Sequence, residues 1–445
     1  MSCIYTIPHE SRYIIYHPLK QIAFMANGAF VNLLAHYLEE GSEEVRKQLQ
    51  EIAPIVFEGD FFAPAPVFQE NKEHPLFKPT VAVLLLTTSC NMRCVYCYAH
   101  GGERPGEVLS SRMAKRAVDI ACENACIAGR DHFLLSFHGG GEPTMAWKPF
   151  QEMIQYARSL KLSCRISLAS NGVWTEAQEA FILKNVDSVS LSFDGVQEVQ
   201  NLQRPAASGK GTFKQVLKTV KALDRSGLSY GIRITATDES AGRLSDSMDF
   251  FISETNCCTF QVEPAFGHGR AGRDRLALSN LDAFAANFLA AYDKALAAGR
   301  HLYYSGARPW AICNRFCSAI ENALIVAPDG GISACYEVCD HTHPLAGRFF
   351  IGRMKGPEVS IDNGARNELL DRLHHRRKAC ENCFCFWHCA GDCPSKTLTP
   401  QGDGHLEFRQ RCDLNRLLTK ELLVRNIEKS GNIWQWFPQN NLNCY

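Results

Sequence analysis

No charge of either sign predominates in this chain of 445 residues: Lys and Arg number 47, and so do Asp and Glu. That balance leaves no overall electrostatic footprint for a polyanion, so no nucleic-acid partner is expected. Long apolar runs are missing too. The strongest, Val81 to Leu86, is far short of the roughly 20 residues that span a bilayer, so no membrane partner is expected. The N-terminus, MSCIYTIPHESRYIIYHPLK, has no apolar signal core. No low-complexity tract or internal repeat occurs. What the chain does hold in quantity is cysteine, with 20 residues. Without a signal core a cytoplasmic location is expected, and there clustered cysteines more often bind metal than pair. The length suffices for one large core with a smaller appended unit.

From about residue 80 to 265 the pattern is strand, loop, helix, repeated. Strand-like runs are Val81–Thr87, Phe133–Phe137, Arg165–Leu168, Ser188–Ser192, Gly231–Thr235 and Phe260–Val262. Helical segments fall between them at Ser111–Ile127, Trp147–Ser159, Thr175–Lys184, Thr212–Ser226 and Leu244–Ser253. This alternation predicts an α/β fold with a parallel sheet, a partial (β/α)6 TIM-like barrel with its chemistry at the C-terminal strand ends. Residues 1–79 read as a hairpin–helix preface: strands Tyr13–Tyr16 and Ile22–Met25, then a helix capped by Asn27 with Phe30, Leu33, Leu34, Tyr37 and Leu38 on one face. A Pro-rich linker begins at Phe62. The preface is either a leader-peptide docking module that adds the peptide as an edge strand or a small lid on the barrel.

Three cysteines fall within eight residues, Cys90-Asn-Met-Arg-Cys94-Val-Tyr-Cys97. A cubane cluster has four irons and normally takes four thiolates, so three leave one iron open to a small molecule. A lone C-x2-C is shared with zinc sites and redox pairs; the full C-x3-C-x2-C with an aromatic before its last cysteine is far more specific. The motif resembles that of the radical S-adenosylmethionine (SAM) enzymes, and the resemblance covers most of the chain. It implies that Cys90, Cys94 and Cys97 hold a [4Fe–4S] cluster and that Tyr96 packs the adenine of SAM. His138-Gly-Gly140-Gly141-Glu142-Pro143 is similar to the family's GGEP motif, which holds the SAM amino group. Asn171 and Ser192, at the ends of the third and fourth strand runs, are further implied SAM contacts. Arg204 is a candidate for its carboxylate, as is Arg233. A reduced cluster in this family cleaves SAM to a 5′-deoxyadenosyl radical, which abstracts an unactivated hydrogen.

The C-terminal third reads Cys313-x3-Cys317-x12-Gly330-x4-Cys335, then Cys380-x2-Cys383-x5-Cys389-x3-Cys393, and finally Cys412. This is similar to the SPASM pattern of radical SAM relatives that bind two auxiliary [4Fe–4S] clusters. The resemblance implies Cys313, Cys317, Cys335 and Cys393 for auxiliary cluster I, and Cys380, Cys383, Cys389 and Cys412 for auxiliary cluster II. Three clusters and SAM are therefore the implied cofactors. A pair of structural zinc sites is the plainer alternative, since C-x2-C serves zinc as well. The domains expected are 1–79, a radical SAM core at 80–300, a SPASM domain at 301–430 and a tail at 431–445.

The resemblance points to a maturase acting on a ribosomally made precursor peptide and installing an oxidative crosslink (carbon–carbon, thioether or ether). An electron donor such as flavodoxin or ferredoxin is the second implied partner. Two alternatives stand beside it: formylglycine formation of the anaerobic sulfatase-maturase kind, and a metal-stabilised peptide-binding scaffold without catalysis. Maturases of the first kind carry Asp directly after the cysteine corresponding to Cys335, where this chain has Tyr336 and Glu337. Tyr336, Glu337 and Glu263 are the candidate catalytic residues, with His138 a further candidate base.

Overall fold

The computed structural model describes residues 4–54, 61–62, 74–273, 278–398 and 405–435. Three short antiparallel strands open the chain: β1 (Tyr5–His9), β2 (Arg12–His17) and β3 (Ile22–Ala26). The β2–β3 pair is the expected hairpin. β1 is an addition that the sequence hid, because Pro8 breaks its row of donors and is tolerated only at a sheet edge. Asn27 caps the next helix, Gly28–Glu40, its Oδ1 accepting from the Phe30 N–H at 2.9 Å. Phe30 and Leu34 are buried, but Leu38 is exposed, since cover on this face stops one turn earlier. The expected linker lies outside the described residues beyond Phe62.

The central sheet is built from β4 (Val81–Leu84), β5 (His132–Phe137), β6 (Ser163–Ser170), β7 (Ser188–Ser192), β8 (Ser229–Ala236) and β9 (Thr259–Pro264). Each pairs in parallel with the next, and the expected helices intervene. Burial alternates along β6, as it must when one face meets the helices and the other the barrel interior. On the helix-covered side Phe133, Phe137, Phe150, Phe193, Phe251 and Phe260 are buried in one continuous core.

Two further strands widen the sheet at its edges. β10 (His301–Tyr303) pairs in parallel with β9, and β11 (Ala323–Val326) in parallel with β4. Antiparallel strands β12 (Gly331–Ser333), β13 (Phe350–Lys355) and β14 (Glu358–Ile361) continue outward from β11. The sheet therefore runs unbroken across the boundary expected at 300/301. Three- and four-residue strands among cysteine loops carry no βα signature, which is why the sequence pattern stopped at six.

The tail expected from 431 also takes a different place. After the helix His405–Lys429, β15 (Ile433–Gln435) pairs antiparallel with β3 and completes a four-stranded sheet with the N-terminal hairpin. Trp434 is buried beside Tyr16, Leu423 and Ile427. Residues 436–445 lie outside the described residues. No helix among the described residues is long and apolar enough to cross a membrane.

Candidate functional site

At the C-terminal ends of the parallel strands lies a cavity of about 590 Å³. The cysteine loop after β4 supplies Cys90, Cys94, Tyr96 and Cys97 to its wall; the glycine turn after β5 supplies His138, Gly140, Gly141 and Glu142. Asn171, Ser192 and Arg233 come from the following strands, and Arg204 from the end of the helix Gln197–Gln203. Cys317, Cys335 and Cys393 line it from the opposite side, with Tyr336, Glu337 and Lys396. Of the residues expected to contact SAM, only Pro143 is not in the wall: it is buried at the start of a short 3-10 turn, Pro143–Met145.

Close approach explains the glycines. A Cβ on Gly141 would collide with the backbone oxygens of Ser89 and Thr87. The turn after β5 is thus pressed onto the cysteine loop, and the Glu142 N–H donates to Ser89 O at 2.8 Å. Glu142 is buried and its carboxylate is already well engaged. Oε1 accepts from the hydroxyls of Thr144 (2.9 Å) and Ser170 (2.8 Å), and Oε2 from the Asn171 N–H (2.8 Å). Burial pushes its pKa up, and these donors pull it back. Oε2 keeps one lone pair for an ammonium, so the residue both anchors the end of β6 and can receive a cation.

A second buried network positions Tyr96 and Arg204. The Tyr96 hydroxyl donates to Asp194 Oδ2 at 2.6 Å, and Arg204 Nη1 donates to the Tyr96 oxygen at 2.7 Å. Gln203 Nε2 and the Thr235 N–H also donate to Asp194. Asp194 does not line the cavity itself; it fixes the two side chains that do. Arg204 Nε has no hydrogen-bond partner although it is buried, a donor left over for a carboxylate or an equivalent anion. His138 Nδ1 is likewise without a partner.

Burial favours the neutral form of the thiols. Burial pushes Cys90 up to about 12 and Cys94 to about 11, with neighbouring charges adding smaller effects of both signs. Burial also raises Cys335, and Cys393 to about 12. Iron would draw such thiols to thiolates, and the unpartnered Nε of Arg204 and the tight glycine turn fit a ligand carrying a carboxylate and an amino group. Three thiols on one side and three on the other thus fit iron–sulfur groups facing one cavity.

Cys380, Cys383, Cys389 and Cys412 lie outside that cavity, near enough for charge on one to act on the next: Cys383 on Cys380, Cys380 on Cys389 and Cys412, and Cys412 on Cys389. The buried pair Asp392–Arg411 (2.6 Å), next in sequence to Cys393 and Cys412, lies beside this set. Cys385 is buried with its thiol toward Thr419 and Asn415. Cys313 stands apart from the other three. It does not line the cavity with Cys317, Cys335 and Cys393, and its N–H donates to Trp387 O at 2.7 Å. Among the described residues no three His, Cys, Asp or Glu converge as on a single ion.

The two candidate carboxylates are engaged. Glu337 pairs with Lys396 at 2.6 Å and accepts from Ser395 Oγ at 2.9 Å; burial alone would raise it, but Lys396 holds it down to about 2. A carboxylate so stabilised is a poor proton acceptor. Glu263 accepts from Gln261 Nε2 and the Ser305 N–H. Burial and the nearby thiols hold the Tyr336 phenol up at about 12. His138, its ring centroid 4.9 Å from that of Tyr336, is lowered by burial to about 4 and is neutral at physiological pH. Lys396 went unnoticed in the sequence, although its place three residues after Cys393 was a usable signal.

The model of the radical SAM superfamily matches residues 84–251. A cysteine-type anaerobic sulfatase-maturating enzyme of Clostridium novyi is 23% identical over 329 residues, covering 69% of this chain and 85% of that protein. Among solved structures, native anSMEcpe with bound AdoMet superposes with a TM-score of 0.62 at 18% identity, over 79% of this chain and 100% of that one. SuiB of Streptococcus suis bound to its precursor peptide SuiA gives 0.53 at 13% identity, over 91% and 98%. The two structural likenesses are likenesses of fold.

Proposed function

Because this enzyme carries a radical SAM domain at residues 84–251 and is homologous to anaerobic sulfatase-maturating enzymes, we propose that it is a radical SAM peptide maturase installing an oxidative crosslink in a ribosomally made precursor. The observation that carries the reading is the single cavity shared by the cysteine loop, the glycine turn and Cys317, Cys335 and Cys393. When bound, the reduced cluster and SAM supply a 5′-deoxyadenosyl radical that removes a substrate hydrogen.

The chain's own residues bind, orient and exclude water. Cys90, Cys94 and Cys97 hold the SAM cluster; Glu142 Oε2 takes the SAM ammonium and Arg204 Nε its carboxylate, with Tyr96 against the adenine. Asp194 keeps Tyr96 and Arg204 in place through the bonds given above. Cys317, Cys335 and Cys393 would hold an auxiliary cluster, which would supply an acceptor for the electron left over by ring closure, and Cys380, Cys383, Cys389 and Cys412 would hold another. Of the candidate bases, His138 is the one with a buried ring nitrogen left without a partner. The enzyme works in the cytoplasm and takes electrons from a flavodoxin or ferredoxin.

A second reading, formylglycine formation, is favoured by the homologues and opposed by the residue after Cys335. That residue is Tyr336, and the nearby Glu337 is locked to Lys396. The test is anaerobic incubation of a short peptide encoded beside the gene with enzyme, SAM and reductant. A loss of about two mass units per ring with matching 5′-deoxyadenosine is expected. An aldehyde trapped by a hydrazine reagent would establish the second reading instead. Absence of 5′-deoxyadenosine from iron-replete enzyme would overturn both.

A further inference from the structure

The segment Gly267-His-Gly269-Arg270-Ala271, which follows β9, has no part in the function argued so far. The cysteine loop has little regular structure of its own, so its shape must be set from outside. From one side the Arg93 and Val95 N–H groups donate to Pro205 O and Gln203 O, at 2.8 and 2.9 Å. From the other side the contact is Arg270: its N–H donates to Cys97 O at 3.0 Å, and its Nη2 to Gly101 O at 3.0 Å. The guanidinium is buried, 5% exposed, with Nε 3.4 Å from Glu103 Oε1. Glu103 also pairs with Arg273 (3.1 Å) and His100 (3.2 Å), so one carboxylate gathers three basic groups onto the end of the loop. Gly269 has φ +58°, and a Cβ there would collide with Cys97 O and the Tyr98 backbone; only glycine permits this approach.

We propose that Gly269 and Arg270 form a clasp that holds the cysteine loop in its cluster-binding shape and places a fixed positive charge beside it. Arg270 is a positioning residue, acting through Cys97 O, Gly101 O and Glu103, and the proposal rests on Cys90, Cys94 and Cys97 being cluster ligands. A buried guanidinium is costly unless paired on several sides, and this one spends its pairing on the loop. Positive charge beside a centre that gains an electron favours the reduced form, as net charge and hydrogen bonding tune such clusters.

The experiment uses full-length, iron-replete protein and follows the part of the reduced electron paramagnetic resonance signal that changes on adding SAM. The variants are Arg270→Gln, Arg270→Lys and Glu103→Gln. In R270Q the reduced-to-oxidised ratio at fixed poise should fall about tenfold, equivalent to about 59 mV for a one-electron couple. Its iron should pass to a chelator at least several-fold faster than in the unsubstituted protein. R270K keeps the charge and loses the two-point fork, so its potential should stay near the unsubstituted value while iron release quickens. Should R270Q fail to fold, E103Q, which leaves Arg270 in place, is expected to release iron faster. Potentials and release rates unchanged in all folded variants would overturn the clasp. A Cys94→Ala control that keeps the SAM-responsive signal would overturn the ligand reading instead, and the clasp with it.

Discussion

Glu142 shows how one side chain can serve structure and chemistry at once. Its carboxylate gathers Thr144, Ser170 and Asn171, all three buried. Glu142→Ala should therefore cost about 2–4 kcal/mol, read as a lower denaturation midpoint, because three buried donors lose their acceptor. Glu142→Gln fills the same volume and should recover much of that stability while binding SAM at least tenfold more weakly. Asp194 makes the complementary case. Asp194→Asn removes an acceptor from Tyr96 and disturbs Arg204 without touching the cavity wall, and calorimetry with S-adenosylhomocysteine should read a roughly tenfold loss of affinity, about 1.4 kcal/mol. His138→Gln should leave 5′-deoxyadenosine formation within about twofold and reduce crosslinked product at least tenfold, since it removes a proton acceptor rather than a SAM contact.

At the scale of elements, β11 is the hinge of the architecture. By pairing with β4 it carries the chain back across the sheet, so that the β12 hairpin brings Cys335 opposite the cysteine loop. The helix His405–Lys429 carries Cys412 toward Cys380 and Cys389. Replacing Cys380, Cys389 and Cys412 together by alanine should lower the iron content by about four atoms per chain, while 5′-deoxyadenosine is still formed. Cysteine spacing singled out these sets in the sequence, but it did not show that the Cys313 N–H donates to Trp387 O. A hydrogen bond between residues more than seventy positions apart leaves no local pattern.

The whole molecule is closed by its own ends. β15 fills the β3 edge of the N-terminal sheet, so that edge is occupied by this chain and a docking peptide has only β1 for strand addition. Trp434→Ala should cost about 3–5 kcal/mol, measured as a shift in the thermal or chemical midpoint. The same region sets an acid limit. His17 is buried against Phe61 O (3.1 Å), and burial lowers it to about 4; His301 is lowered to about 4 likewise. As pH falls from about 6.5 toward 4 the unfolded chain takes up these protons and the folded one does not. Stability is thus full above about 6.5 and declines below it, by up to about 3 kcal/mol for His17. His17→Gln should flatten the plot of urea midpoint against pH across that interval.

Sequence alone determined the parts whose causes are local. The six βα units follow from the period of apolar residues, and the Asn27 cap from one side chain and the N–H three residues on. The cysteine spacings and the glycine turn were readable because their chemistry is confined to a few neighbouring positions. Only the tertiary structure decided the rest. It placed Glu337 on Lys396, so that a candidate base became an ion pair, joined β10 and β11 to the barrel edges, and stitched β15 onto β3. It set Asp194 behind Tyr96 and Arg204, and closed Arg270 over the cysteine loop. Each of these depends on burial and pairing between distant segments, and such energies exist only once the chain has brought the partners together.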